Sequence, residues 1–136
     1  METFFIDSNI FFYAKIMDKE YGKECARVLN TIAEGGLKAT TSSLAIIELA
    51  NALRKYGLSK EVKKVVDAIF SLDIQIFPVD HIDVRNAAEI FDKTGISPYD
   101  CTHLAIMKKA ETNKIISADK EFEKISWIKR VDPKDF

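Results

Sequence analysis

Short apolar runs of strand length alternate with longer stretches of helical period along the whole chain. That alternation leaves few folds open. Thr3-Phe4-Phe5-Ile6 reads as a buried strand, followed by helices over Ser8 to Met17 and Glu20 to Ala33. Gly35-Gly36 ends the second helix, and Leu37 to Thr40 reads as a strand. Ser42 or Ser43 caps a helix to about Tyr56, closed by Gly57, and Ser59 caps another through Leu72. Ile74 to Phe77 is a third strand, stopped by Pro78; Asp80 then caps a helix to about Lys93, with Gly95 after it. Ser97-Pro98 opens a helix to about Glu111, because proline is preorganised at the first helical position. Lys114 to Ser117 reads as a fourth strand, Glu121 to Ile125 as a short helix, and Lys129 to Val131 as a fifth strand. The last four residues, Pro133 to Phe136, read as loose. Strands that alternate with helices predict an α/β fold, a parallel sheet with helices on both faces. In such sheets, sites form outside the carboxyl ends of the strands.

Four carboxylates stand out against this pattern. Asp7 is the only charge between Glu2 and Lys15, Glu48 the only one between Lys38 and Arg54, and Asp100 the only one between Lys93 and Lys108. Asp119 follows the apolar run Ile115-Ile116-Ser117. An isolated carboxylate in an apolar stretch is costly to bury unless something pairs with it. A divalent cation would supply the partner. Asp7 and Asp119 directly or nearly follow strands, Glu48 lies one turn inside the helix after the second strand, and Asp100 lies in the first turn of the helix before the fourth. All four can therefore reach one edge of the sheet. Each also has a structural alternative. Asp7 and Asp119 stand where a helix N-cap would, and Asp100 falls three after Ser97, the capping-box spacing. A solvent-facing Glu48 would have to interrupt an apolar run on both sides.

Oxygen ligands without cysteine or a histidine cluster suit Mg²⁺ or Mn²⁺ better than Zn²⁺. Several carboxylates around such an ion characterise enzymes that attack phosphodiesters with a metal-activated water. His81 and His103 are too sparse for a zinc site; His103 falls three after Asp100 and reads as a satisfied histidine that lines the same face. No G-x-G-x-x-G, G-x-x-x-x-G-K-[ST] or G-x-S-x-G motif exists, so dinucleotide, P-loop and serine-hydrolase readings fall. Asp80, after the third strand, reads as a plain N-cap rather than a phospho-acceptor.

With 136 residues, 47% of them hydrophobic, the chain suits one domain over residues 1–136. A net charge of −1 gives no global attraction to nucleic acid or membrane. Local basic groups, Lys15/Lys19/Lys23/Arg27, Lys60/Lys63/Lys64 and Lys108/Lys109, could hold nucleic acid, although solvated helix faces explain each of them as well. Cys25 and Cys101 form no framework and read as small core residues in a reducing cytoplasm. No signal peptide is visible, and no apolar run is long enough to span a bilayer.

Taken together, the motifs resemble the PIN-domain family, including the VapC-type toxins of toxin–antitoxin pairs, over nearly the whole chain. Ile6-Asp7-Ser8-Asn9 resembles the opening D-[ST]-N motif, and Glu48 in its apolar helix matches the second acid. The segment Ser97 to Ala105 resembles the one that carries the third, and Ser117-Ala118-Asp119 with Phe122 the closing [ST]-x-D-x-x-F. The resemblance implies a three-layer α/β/α fold on about five parallel strands and Mg²⁺- or Mn²⁺-dependent endoribonuclease activity. Asp7, Glu48, Asp100 and Asp119 would be the catalytic and metal-holding acids; Ser117 would position Asp119 or the metal shell, and Asn9 would orient the neighbourhood of Asp7. It further implies an RNA substrate, a homodimer and a small antitoxin partner. The aromatic run Phe11-Phe12-Tyr13, which exceeds one face's need for burial, also suits a dimer. Cys101 stands where the family more often has alanine. The rival reading is a catalytically silent PIN-like protein-binding module.

Overall fold

Five parallel strands build one sheet in the order β3-β2-β1-β4-β5, in a computed structural model that describes residues 2–136. The strands are β1 (Thr3–Ile6), β2 (Lys38–Ser42), β3 (Ile74–Phe77), β4 (Lys114–Ile116) and β5 (Lys129–Val131). Six helices connect them: α1 (Ser8–Ile16), α2 (Gly22–Ala33), α3 (Ser43–Lys55), α4 (Val62–Ser71), α5 (His81–Thr94) and α6 (Pro98–Lys109). The central strand β1 pairs with β2 (Phe5 opposite Thr40) and with β4 (Phe5 opposite Ile115, Ile6 opposite Ile116). Side chains alternate across a strand. Phe5 and Ile115 therefore enter one core with Ile90, Leu104 and Phe122, while Ile6 and Ile116 enter the other with Ile10, Val28, Leu49 and Leu53. Helices α5 and α6 cover the first face, and α1 to α4 the second. This is the expected three-layer α/β/α arrangement.

Several local readings change. β2 runs to Ser42 rather than Thr40, because Thr41 and Ser42 pair with Ile76 and Phe77 of β3 and are fully buried despite their polarity. Thr41 satisfies its hydroxyl by donating to the Ile6 carbonyl at 2.9 Å. Ser59 caps no α-helix: a 3₁₀ turn occupies Ser59–Glu61, and α4 begins at Val62 without a side-chain cap. α2 begins at Gly22, not Glu20, after Asp18 has turned the chain by accepting from the Glu20 and Tyr21 N–H groups. Only glycine fits at position 22, since a Cβ there would lie 2.7 Å from the Met17 carbonyl carbon. The last residues are not loose. Pro133–Asp135 form a 3₁₀ turn capped by Asp132, Pro133 is buried, and Arg27 donates to the Phe136 carbonyl.

The aromatic run of α1 is consumed inside the chain. Phe11 is buried, Phe12 meets Tyr56 edge-on at 5.6 Å, and Tyr13 stacks on Tyr21 at 5.4 Å. Cys25 and Cys101 are buried and free, as small core residues; burial pushes the Cys25 thiol up to about 12. Among the described residues, no helix is long and apolar enough to cross a membrane.

Candidate active site

Parallel strands all end at one edge of a sheet, and the turn that leaves β1 there carries Asp7. Its backbone N–H still donates to the Ile116 carbonyl of β4 at 3.2 Å, so the residue is locked to both central strands. Its carboxylate caps α1 by accepting from the Ser8 N–H at 2.7 Å. The N-cap reading of Asp7 thus holds, but the cap uses only one of its oxygens. Oδ2 accepts from the Ser117 hydroxyl at 2.6 Å and from the Asn9 amide at 3.3 Å. Ser117 is fully buried and works as a hub. While donating to Asp7, its oxygen accepts from the Asn9 amide at 3.2 Å and from the Asp119 N–H at 3.0 Å. Asn9 closes the ring by accepting from the Ala118 N–H at 3.3 Å. The segment after β4 is thereby tied to the segment after β1. The hub is anchored in turn by Arg130 on β5, which donates to the Ser117 carbonyl at 2.8 Å and pairs with Glu123 and Asp132.

Glu48 comes from α3 and meets His103 of α6. Glu48 Oε1 lies 2.6 Å from His103 Nε2, which is 3.8 Å from Asp7 Oδ1. One ligand atom each from Asp7, Glu48 and His103 therefore lies within 4.8 Å of the others. Asp100 and Asp119 stand outside that tight set but within its field. The Asp100 carboxyl is pushed up to about 7, first by burial, then by the charge of Asp7, against the lowering effect of His103 and with smaller raising contributions from Asp119 and Glu48. Burial also raises the carboxyl of Asp7 above its ordinary value, against the lowering effects of His103 and the Ser117 hydrogen bond. For His103, burial alone would lower the imidazole; the hydrogen bond with Glu48 and the charges of Asp7, Glu48 and Asp100 outweigh it and hold it above its usual value.

All four acids expected from the sequence thus interact electrostatically, with Asp7 and Glu48 closest. Asp100 makes only half of a capping box: its N–H donates to Ser97 Oγ at 3.1 Å, while its side chain makes no return bond. Asp119 caps a 3₁₀ turn (Lys120–Lys124) by accepting from the Glu121 N–H. Asp80 is the plain N-cap expected, in a reciprocal capping box with Asp83. His103 lines this face as expected and is satisfied by Glu48 itself; its spacing of three from Asp100 is the one sequence signal for the placement. The basic groups are largely engaged elsewhere: Lys15 pairs with Glu61, Lys63 with Asp67 and Lys109 with the buried Asp83, while Lys108 lies over Trp127 at 4.5 Å.

The donor chemistry fits a hard divalent cation. Carboxylate oxygens dominate the cluster, two of its acids are raised by crowding and burial, and no lysine or arginine pairs with Asp7, Glu48, Asp100 or Asp119 among the described residues.

A family model for the PIN domain matches residues 4–128, and the chain belongs to that family. Among curated relatives, it is 23% identical over 127 residues to ribonuclease VapC13 of Mycobacterium tuberculosis, covering 93% of this chain and 97% of the relative. The fold matches the crystal structure of Mycobacterium tuberculosis VapC20, a sarcin-ricin loop cleaving toxin, with a TM-score of 0.77 at 15% identity over 92% of this chain and 96% of that one. It also matches a DNA-bound VapBC structure from Salmonella typhimurium, with a TM-score of 0.70 at 19% identity over 98% and 99% of the two chains.

Proposed function

We propose that residues 1–136 form a single metal-dependent endoribonuclease domain, the cytoplasmic toxin of a toxin–antitoxin pair. The observation that carries this reading is the meeting of Asp7, Glu48 and His103, from three separate segments of a PIN domain, with Asp100 within their field. Asp7, Glu48, Asp100 and Asp119 would hold Mg²⁺ or Mn²⁺. Such an ion supplies activation of an attacking water and compensation of charge on the scissile phosphate. The chain's own residues do the positioning. Ser117 and Asn9 orient the Asp7 carboxylate, the Ser117 hydroxyl holds the Asp119 backbone beside it, and His103 holds Glu48. The ribonuclease names of the relatives and the DNA-bound VapBC neighbour agree with this reading. The test is incubation of the purified protein with structured and unstructured RNA. Cleavage should appear with Mn²⁺ and stop with EDTA; a protein that cuts no RNA under any of these conditions would favour the silent protein-binding module.

An antitoxin would dock on an apolar face of the helices. An apolar groove of about 400 Å³ lies between α1, α2 and α4, lined by Phe11, Leu29, Val65, Ile69 and Leu72, with Lys15 and Lys64 at its rim. The apolar floor, with Lys64 beside it, suits an amphipathic segment that carries an acidic residue. We assign the groove to the product of a short reading frame expected next to the gene. Co-expressed, that product should co-purify with the wild type and be lost from Ala68→Glu, which sets a charge on the exposed wall without touching the core. Retention by Ala68→Glu would remove the groove as the docking site.

A further inference from the structure

We propose that His103 is a positioning residue that fixes Glu48 through a proton on Nε2, and not a ligand of the cation; this rests on the nuclease reading above. His103 is fully buried, its ring tilted at 42° against Phe5 with centroids 5.4 Å apart. Its neighbours Cys101, Leu104, Ala105, Ile106 and Met107 all serve the core. An apolar residue would pack as well there, so packing does not account for an imidazole. The ring makes one polar contact of hydrogen-bond length, from Nε2 to Glu48 Oε1 at 2.6 Å.

That distance separates the two roles open to Nε2. Two atoms that share a cation as adjacent ligands, each about 2.1 Å from it in octahedral geometry, stand about 3 Å apart. Glu48 Oε1 and His103 Nε2 are closer than that, at hydrogen-bond distance, so a shared proton accounts for the contact. Nδ1 is buried and has no partner. A buried lone pair without a partner is tolerated more readily than a buried N–H without one. Nδ1 therefore supplies no competing reason for the proton to leave Nε2, and Nε2 carries it whether the ring is neutral or charged.

The consequence falls on Glu48. Its side chain has three rotatable bonds and is about a quarter exposed, 26%. Unheld, its carboxylate would sample several positions. With Oε1 bound to His103, Oε2 is the oxygen left free of that contact and would be the one open to a cation. The same Nε2 lies 3.8 Å from Asp7 Oδ1, so one ring sets the spacing between the two acids. Groups that orient metal ligands in this way change metal affinity or activity by about 10- to 100-fold when removed.

The experiment compares wild type, His103→Leu and His103→Gln by calorimetric titration with Mn²⁺, with RNA cleavage at saturating Mn²⁺ as a second readout. His103→Leu should bind Mn²⁺ about 10- to 100-fold more weakly, while its melting temperature in EDTA stays close to wild type. His103→Gln, whose amide N–H can still donate to Glu48, should recover most of the affinity and of the cleavage rate. Unchanged binding by His103→Leu would reduce the residue to packing and overturn the proposal. Equal loss in both variants would overturn it in favour of a nitrogen ligand. Nitrogen-15 spectra of the metal-free wild type supply a readout free of metal and activity: Nε2 should show as protonated, and the signal should move in Glu48→Gln. A non-protonated Nε2 overturns the proposal by itself. A wild type that binds no Mn²⁺ while the Nε2 signal is present overturns the nuclease reading instead, and with it the purpose assigned to the contact.

Discussion

Asp7→Asn should abolish metal-dependent RNA cleavage while the protein stays folded. The substitution removes one negative charge and one acceptor oxygen and leaves the helix cap in place. Asparagine caps helices about as well as aspartate, so α1 keeps its N-terminal hydrogen bond from Ser8. The amide nitrogen takes the place of Oδ2, so the hydrogen bonds from the Ser117 hydroxyl and the Asn9 amide go with the charge. What is lost is the charge at the most enclosed of the four acids, which is 5% exposed and within 4.8 Å of Glu48 and His103. A loss of at least about a hundredfold is expected, equivalent to about 2.7 kcal/mol of transition-state stabilisation. Asp100→Asn should act in the same direction. Asp80→Asn is the matched control, because it also replaces an N-cap aspartate by asparagine but lies in the α5 capping box, outside the acid cluster; its rate should stay within about twofold of wild type. The rates are to be measured with circular dichroism on the same samples. Full activity in a folded Asp7→Asn protein would remove Asp7 from the site.

In EDTA, the protein should lose stability as pH rises through neutrality and regain it with Mn²⁺. Asp100 is pushed up to about 7 and Asp7 above its ordinary value, against about 4 for aspartate in the unfolded chain. Between those values the folded state binds more protons than the unfolded one, so stability falls with rising pH. The fall begins above about pH 4 and runs through about 7. His103, held above its usual value, acts with the same sign: its contribution is complete below about 6.5 and disappears as pH rises through its folded value. Asp83 and Asp132 act oppositely. Burial would raise both, but hydrogen bonds and the cations Lys109 and Arg130 leave them lowered, so their stabilisation is lost only as pH falls below about 4.

A cation that binds only the folded cluster restores the loss by mass action, about 2.7 kcal/mol at a hundredfold excess over its dissociation constant. For a chain of this size that corresponds to about 10 °C in melting temperature. Asp100→Asn relieves part of the crowding and keeps the Ser97 cap, which uses only the backbone N–H of residue 100. In EDTA at pH 8 it should melt about 3 °C above wild type, and it should gain less from Mn²⁺. Thermal melts of both proteins, with EDTA and with Mn²⁺, across pH 5 to 9 decide the point. A wild type indifferent to metal, together with a variant that melts lower in EDTA, would mean that the acids do not act as one cluster.

Much of this was legible in the sequence because burying a charge is costly. Asp7, Glu48 and Asp100 stand alone in apolar runs, and a lone buried carboxylate advertises a partner. The sheet was legible for a related reason. Strands buried on both faces read as continuous apolar runs, as Thr3-Phe4-Phe5-Ile6 does. Polarity hid the rest. Thr41 and Ser42 lie past the expected end of the strand, yet they belong to β2, where Thr41 donates to the Ile6 carbonyl and Ser42 also caps α3 as expected, by accepting from the Ala45 N–H. The C-terminus looked loose because Pro133 and its charged neighbours give no periodic signal, while the Asp132 cap and the Arg27 contact come from the folded chain. Buried Asp83 and Lys109 pair across 26 residues, and His103 reaches Glu48 across 55. No local pattern reports a contact over such separations.

The central claim, that four acids serve a water that hydrolyses RNA, is tested most directly by the chemical ends of the cleavage products. Attack by water on the phosphodiester leaves a terminal phosphate on one fragment and a free hydroxyl on the other. Attack by the neighbouring ribose 2′-hydroxyl, which needs no bound metal, leaves a 2′,3′-cyclic phosphate. Wild-type protein with Mn²⁺ should give only the water-derived ends, from a reaction that EDTA stops and Asp7→Asn lacks. Cyclic phosphate ends, or cleavage that persists in EDTA and in Asp7→Asn, would contradict the account.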